Sequence, residues 1–198
     1  GRDEEGMRRL WGEVVPVPED NLRVLKGGET GIEGAFRVEY TPGHAHSHIC
    51  LWSPDDRLLI SGDHLLPTIT PHIDFKRGED ADPLGDFLDS LTKVEKLDPA
   101  MVLPGHGHPF EEGAERARII QRHHDRRLGS ILQVIRREPC TAERITEEIF
   151  GGELLNFQKR LALGEALAHL AYLRKRGEIE RIEENGTFLY RKVSRRPS

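Results

Sequence analysis

Three short stretches decide how this chain reads: Thr41-Pro42-Gly43-His44-Ala45-His46-Ser47-His48, Ser61-Gly62-Asp63-His64 and Leu103-Pro104-Gly105-His106-Gly107-His108-Pro109. Of the chain's ten histidines, six fall in them. Each stretch follows directly on a segment that reads as a strand, and loops at strand ends are where a rigid scaffold can aim side chains at one point. Imidazole and carboxylate are good ligands for zinc, iron or manganese. Glycine and proline beside each ligand fix the backbone and let it approach an ion closely. A solvated turn histidine accounts for one such cluster; three clusters with the same punctuation point to a shared site.

The surrounding sequence supplies the strands. Phe36, Val38 and Tyr40 alternate with Arg37 and Glu39, the period of a half-buried strand. Ile49–Ser53 and Arg57–Ser61 flank Pro54-Asp55-Asp56 and predict a hairpin. Leu84, Phe87, Leu88, Leu91, Val94 and Leu97 form the stripe of an amphipathic helix over Pro83–Leu97, and Met101–Leu103 is a short buried strand after it. Strand, helix, strand is the order of a layered α/β domain.

Either side of this region the reading is coarser. A short helix is expected over Asp3–Trp11 and a short strand over Leu22–Leu25; the charged stretch Lys76–Asp82 reads as a loop. A long helix is expected over Glu111–Arg137, then helices over Thr141–Phe150 and Leu161–Arg176. Ile179–Ile182 and Thr187–Lys192 flank Asn185-Gly186, which suits a type I′ turn and predicts a hairpin.

Composition narrows the class. The 198 residues are 36% hydrophobic and 32% charged, which suits a soluble globular protein. No run of about 18 apolar residues exists, so no membrane span is expected. The formal net charge of -5 divides unevenly, with -10 over residues 1–120 and +5 over residues 121–198, so two units with different surfaces are expected. Cys50 and Cys140 lie far apart and predict two reduced, partly buried thiols in a cytoplasmic protein.

In that order and spacing, TPGHAHSH, SGDH and LPGHG resemble the later motifs of the metallo-β-lactamase superfamily. The resemblance implies that His44 binds a first metal, that Asp63 bridges two metals and that His106 binds the second. His48 stands where family members often carry a histidine behind the metals or facing the substrate, so Asp63 and His48 are the candidate catalytic residues. The resemblance assigns no role to His46, His64 or His108, which are expected behind the site or facing solvent. The region after residue 110 resembles the small winged-helix region of the β-lactamase-like protein 2 group.

The implied fold is α/β (α+β): the C-terminal half of an αβ/βα sandwich followed by a small winged-helix domain. The divisions are 1–110 for the partial metallo-β-lactamase-like domain, 111–137 for a linking helix and 138–198 for the winged helix. The family signature HxHxDH, which supplies further ligands upstream of these motifs, does not occur in this sequence. The chain therefore resembles a C-terminal fragment, a truncated product, or one part of a protein whose other half comes from another chain. A half-sandwich leaves a sheet face open, and self-association through that face is expected.

Two functions follow. The first is part of a hydrolase that would use metal-bound hydroxide on an ester, thioester, amide or phosphodiester. Its metal is divalent, zinc first, with one ion at most in this chain and two in an intact family member. Thioesters enter by similarity to glyoxalase II, and single-stranded RNA by similarity to the β-lactamase-like protein 2 group; the isolated chain is expected to be incomplete and inactive. The second is a nucleic-acid or partner-binding winged helix on a degenerate metal-site scaffold. Arg174, Lys175, Arg176, Arg181, Arg191, Lys192, Arg195 and Arg196 would give it a phosphate-facing strip, interrupted by Glu178, Glu180, Glu183 and Glu184. Against it stands a role for these basic residues in packing beside the cleft and shaping substrate access.

Overall fold

The structure, a computed structural model, describes residues 25–32, 34–75, 81–151 and 155–193. The helix expected over Asp3–Trp11, most of the Leu22–Leu25 strand, and Arg195 and Arg196 lie outside the described residues, as does most of the Lys76–Asp82 loop.

Six strands form one sheet in chain order: β1 (Thr30–Ile32), β2 (Phe36–Tyr40), β3 (Ile49–Ser53), β4 (Leu58–Gly62), β5 (Met101–Pro104) and β6 (Phe110–Glu111). All neighbours are antiparallel except β4 and β5, which run parallel. That exception is forced by helix α1 (Pro83–Leu97), which carries the chain back across the sheet as a parallel pair requires.

Helix α1 forms where its sequence signals it. Asp82 caps the N-terminus by accepting the Gly85 N–H at 3.0 Å, and Pro83 occupies the first turn, where no N–H is needed. Asp98 in a left-handed conformation (φ 50°) ends it. Its apolar stripe, Leu84, Phe87, Leu91 and Val94, is fully buried. It packs on the sheet face that presents Cys50, Trp52, Leu59 and Val102. Cross-strand register places Val38, Leu51, Ile60 and Leu103 in one row on the other face. Val38 is buried there, and the other three are half-buried.

Helix α2 (Gly113–Arg137) crosses behind α1; α3 (Ala142–Phe150), α4 (Asn156–Lys175) and the hairpin β7 (Ile179–Glu184) with β8 (Thr187–Lys192) follow. One apolar cluster runs unbroken from Cys50 in the sheet to Tyr190 in the hairpin. The Asn185-Gly186 turn has both residues at positive φ (51° and 76°), as a type I′ turn requires.

Several boundaries shift by one or two residues, and three departures are larger: the strands β1 and β6, which the sequence reading does not contain, and the start of α4. The two-residue strand β6 takes Glu111, so the long helix begins at Gly113. That glycine sits where a Cβ would fall 2.5 Å from Pro99 and 2.7 Å from Val102. Strand β1 is too short to carry a periodic signal. Helix α4 starts five residues earlier than Leu161, because the Gln158 side chain accepts the Leu155 N–H at 2.9 Å and caps the first turn.

Candidate metal centre

The three histidine-bearing loops meet at one edge of the sheet. Asp63 follows β4 and His106 follows β5, so the parallel pairing of these strands sets them side by side; His44 comes from the loop between β2 and β3. Each carboxylate oxygen of Asp63 faces a different imidazole. Oδ2 is 3.8 Å from His44 Nε2, and Oδ1 is 3.5 Å from His106 Nε2.

These separations fit metal ligation. Two ligands at about 2.0–2.2 Å from one tetrahedral ion stand roughly 3.4 Å apart. Backbone geometry favours the same use. Gly105 N–H donates to Gly62 O at 2.7 Å and ties the two loops together. A Cβ on Gly105 would fall 2.6 Å from Asp63 Oδ1, so only glycine leaves that oxygen free. His44 Nδ1 donates to the His72 carbonyl at 2.7 Å, which leaves Nε2 with its lone pair on the Asp63 side.

His48 lies behind this trio. Its Nδ1 is 2.9 Å from Thr41 Oγ1, and a Cβ on Gly62 would meet its Nε2 at 2.9 Å. Burial first, and the neighbouring His44 second, lower its pKa below the usual 6.5. His64 is wholly buried against Phe87, with both ring nitrogens unpaired, and burial pushes its pKa down to about 3. It therefore stands behind the site and does not face solvent. His46 and His108 are both exposed. Cys50 and Cys140 are both free and buried, and burial raises the Cys50 thiol to about 12.

A second group of residues escaped the sequence reading. His124 on α2 and Glu165 and His169 on α4 place ligand-type atoms within 4.8 Å of one another. His72, in the irregular segment after β4, brings Nδ1 to 3.5 Å from Glu165 Oε2. No short-range pattern joins them: His124 has only His123 beside it on α2, His169 stands alone on α4, and tertiary packing alone brings the two helices' residues together.

A cleft of about 280 Å³ opens beside His44 and His46, bounded by Asp74 and Asp82 and by Lys175 from α4. Several basic residues of the expected phosphate-facing strip are engaged elsewhere. Lys175 is 3.8 Å from Asp82, Arg176 contacts Glu178 at 3.1 Å, and Arg191 contacts Glu180 at 2.9 Å. No helix of the described residues is long and apolar enough to cross a membrane.

Comparison with known proteins identifies the family of the chain. The sequence profile of the metallo-beta-lactamase superfamily matches residues 1–106. The chain belongs to the metallo-beta-lactamase superfamily. A second profile, the metallo-beta-lactamase-like C-terminal domain, matches residues 128–193. A probable metallo-hydrolase of Bacillus subtilis, YqjP, is 28% identical over 175 residues, covering 85% of this chain and 53% of that protein. The beta-lactamase-like protein 2 homolog of Caenorhabditis elegans is 29% identical over 126 residues, covering 63% of this chain and 40% of that protein. The crystal structure of a beta-lactamase domain protein from Burkholderia ambifaria superposes with a TM-score of 0.84 at 36% identity, over 90% of this chain and 54% of that one. This metallo-beta-lactamase superfamily chain thus spans about half the length of the curated relatives it matches. Superfamily membership supports a metal-dependent hydrolase as the general kind and a divalent metal as its cofactor.

Proposed function

We propose that this chain carries the Asp63-centred part of a hydrolytic metal centre, with His44, Asp63 and His106 as ligands, for an ester, thioester or phosphodiester. The observation that carries the reading is the pair of Asp63 oxygens, each turned to a different histidine Nε2, at 3.8 and 3.5 Å. That is the arrangement of a carboxylate able to bridge two ions.

A divalent ion held there by His44, Asp63 and His106, zinc first, would lower the pKa of bound water to about 7 and polarise a carbonyl or phosphoryl oxygen. The chain's residues do the rest. His72 O fixes the tautomer of His44, Gly105 keeps the carboxylate uncovered, and Gly62 leaves room for the His48 ring. His48, neutral near pH 7 and held by Thr41, is placed to take up a proton on the Gly62 side. Three ligands suit one ion; the further ligands of a two-metal site belong to an HxHxDH segment that this sequence lacks. On this reading the chain alone turns over little or no substrate.

The region after α2 is read as a winged helix that packs beside the site. Lys175 lines the cleft next to His44, which supports a part in shaping substrate access. The carboxylate partners of Arg176 and Arg191 weigh against a free phosphate-facing strip.

The test is metal analysis of purified chain and of His44→Ala, Asp63→Ala and His106→Ala, followed by hydrolysis assays on a thioester and a single-stranded RNA. The expected result is up to one bound divalent ion in the parent, loss in each variant, and negligible turnover. Full metal uptake by all three variants would overturn the site. Robust turnover by the chain would overturn the claim that it is incomplete.

A further inference from the structure

The irregular segment Pro71–Phe75 has no strand or helix of its own to hold it, yet the carbonyl of His72 sets the tautomer of His44. Its support comes from one turn of α4. Phe75 N–H donates to Gly164 O at 3.2 Å. Gly164 has no side chain where a Cβ would fall 2.1 Å from Asp74 Oδ1. The next residue, Glu165, brings Oε2 to 3.5 Å from His72 Nδ1.

Glu165 is itself fixed. Arg127 on α2 bonds its other oxygen, Oε1, at 2.5 Å. Burial works to raise the Glu165 pKa, but the His72 bond and the Arg127 charge outweigh it and hold the carboxyl below its ordinary value. Although His124, Glu165 and His169 are spaced closely enough for an ion, the Arg127 guanidinium already balances the one negative charge there. A divalent cation beside it would be repelled. The cluster therefore reads as a structural brace.

We propose that Glu165 is a positioning residue for the metal centre: from α4 it holds His72, and through the His72 carbonyl it orients His44 toward Asp63. The inference rests on the reading of His44 as a metal ligand. It makes the C-terminal helices part of the metal site without supplying a ligand to it. Groups that orient ligating histidines typically contribute about 10–100-fold to metal affinity.

The test uses the full chain, stripped of metal and titrated with Co²⁺. Glu165→Gln and Glu165→Ala should weaken Co²⁺ binding about tenfold or more. His72→Phe, which keeps the carbonyl but removes the ring nitrogen, should show a similar loss. In the metal-free protein, long-range ¹H–¹⁵N spectra should report an Nδ1–H tautomer of His44 in the parent and a mixture in the Glu165 variants. A general loss of structure would not move that signal alone, and Glu178→Gln, a surface partner of Arg176, should leave it unchanged. Two results are distinguishable. If His44→Ala binds Co²⁺ like the parent, the metal-site reading fails. If His44→Ala loses binding while Glu165→Gln and His72→Phe bind normally with the His44 tautomer intact, the positioning role alone is overturned.

Discussion

His124 Nδ1 lies 3.1 Å from His169 Nε2, so two fully buried imidazoles join α2 to α4. His169 donates from Nδ1 to the Glu165 carbonyl at 2.8 Å, which leaves its Nε2 to accept from His124. The arrangement needs both rings neutral. Burial is the main cause lowering their pKa values, to about 3 for His124 and about 4 for His169.

This pair makes stability depend on pH with a definite sign. As pH falls below the ordinary histidine value of about 6.5, the unfolded chain takes up protons and the folded chain does not. Stability is therefore complete above about pH 6.5 and declines toward pH 3–4. At pH 5 the loss should be on the order of 2 kcal/mol per histidine. Urea unfolding at pH 7.5 and pH 5.0 measures it, and His124→Phe should reduce the dependence by about the share of one histidine, with His169 and the buried His64 still contributing. Equal midpoints at the two pH values in the parent would contradict the neutral pair.

Two glycine substitutions should act in opposite directions. Gly43 has φ 131°, and a Cβ there would lie 2.5 Å from the Phe87 backbone, so Gly43→Ala must displace α1. A loss of about 3 kcal/mol is expected, read from denaturant midpoints. Gly129 sits within α2 with nothing within 4 Å of the added methyl. Gly129→Ala should stabilise by about 0.5–1 kcal/mol. A stabilising Gly43→Ala would show that the close approach of that loop to α1 is misplaced.

Gly105→Ala separates site from fold. Its Cβ would reach Asp63 Oδ1 at 2.6 Å, and His106 follows directly in sequence. Metal content by elemental analysis should fall severalfold, while the circular dichroism spectrum stays near that of the parent. Unaltered metal content would argue against Asp63 Oδ1 as a ligand atom.

The outer sheet face gives a prediction about association. Leu51, Ile60 and Leu103 form a half-buried apolar row across three strands, and a second copy offers the same row to a two-fold partner. Light scattering after size exclusion should report a dimer, and Ile60→Lys should return it to monomer. A clean monomer of the parent at high concentration rejects this.

Much of the frame was readable because local signals agreed. Asp82 and Pro83 announce α1, the stripe from Leu84 to Val94 faces the sheet, and Asn185-Gly186 makes the last hairpin. The ligand candidates were readable because glycine and histidine recur at strand ends. The brace was not. His72 lies 93 positions from Glu165, and His124 lies 45 from His169, so nothing local ties them together. Helix α4 also hid its buried side: Ala162, Gly164, Ala166 and Ala168 are buried with the leucines, because small residues let neighbouring backbone come close.

The parallel pairing of β4 with β5 has a last consequence. Asp63 and His106 hang from adjacent rails about 4.8 Å apart, a gauge that backbone hydrogen bonding enforces and side chains do not alter. His44 arrives from outside that pair, its ring held by the segment that α4 supports. On the proposed ligand set, ions of different radius would be accommodated by the His44 arm more readily than by the paired strands. If His44 is a ligand, tolerance for one metal over another would then depend on how firmly α4 holds the His72 segment.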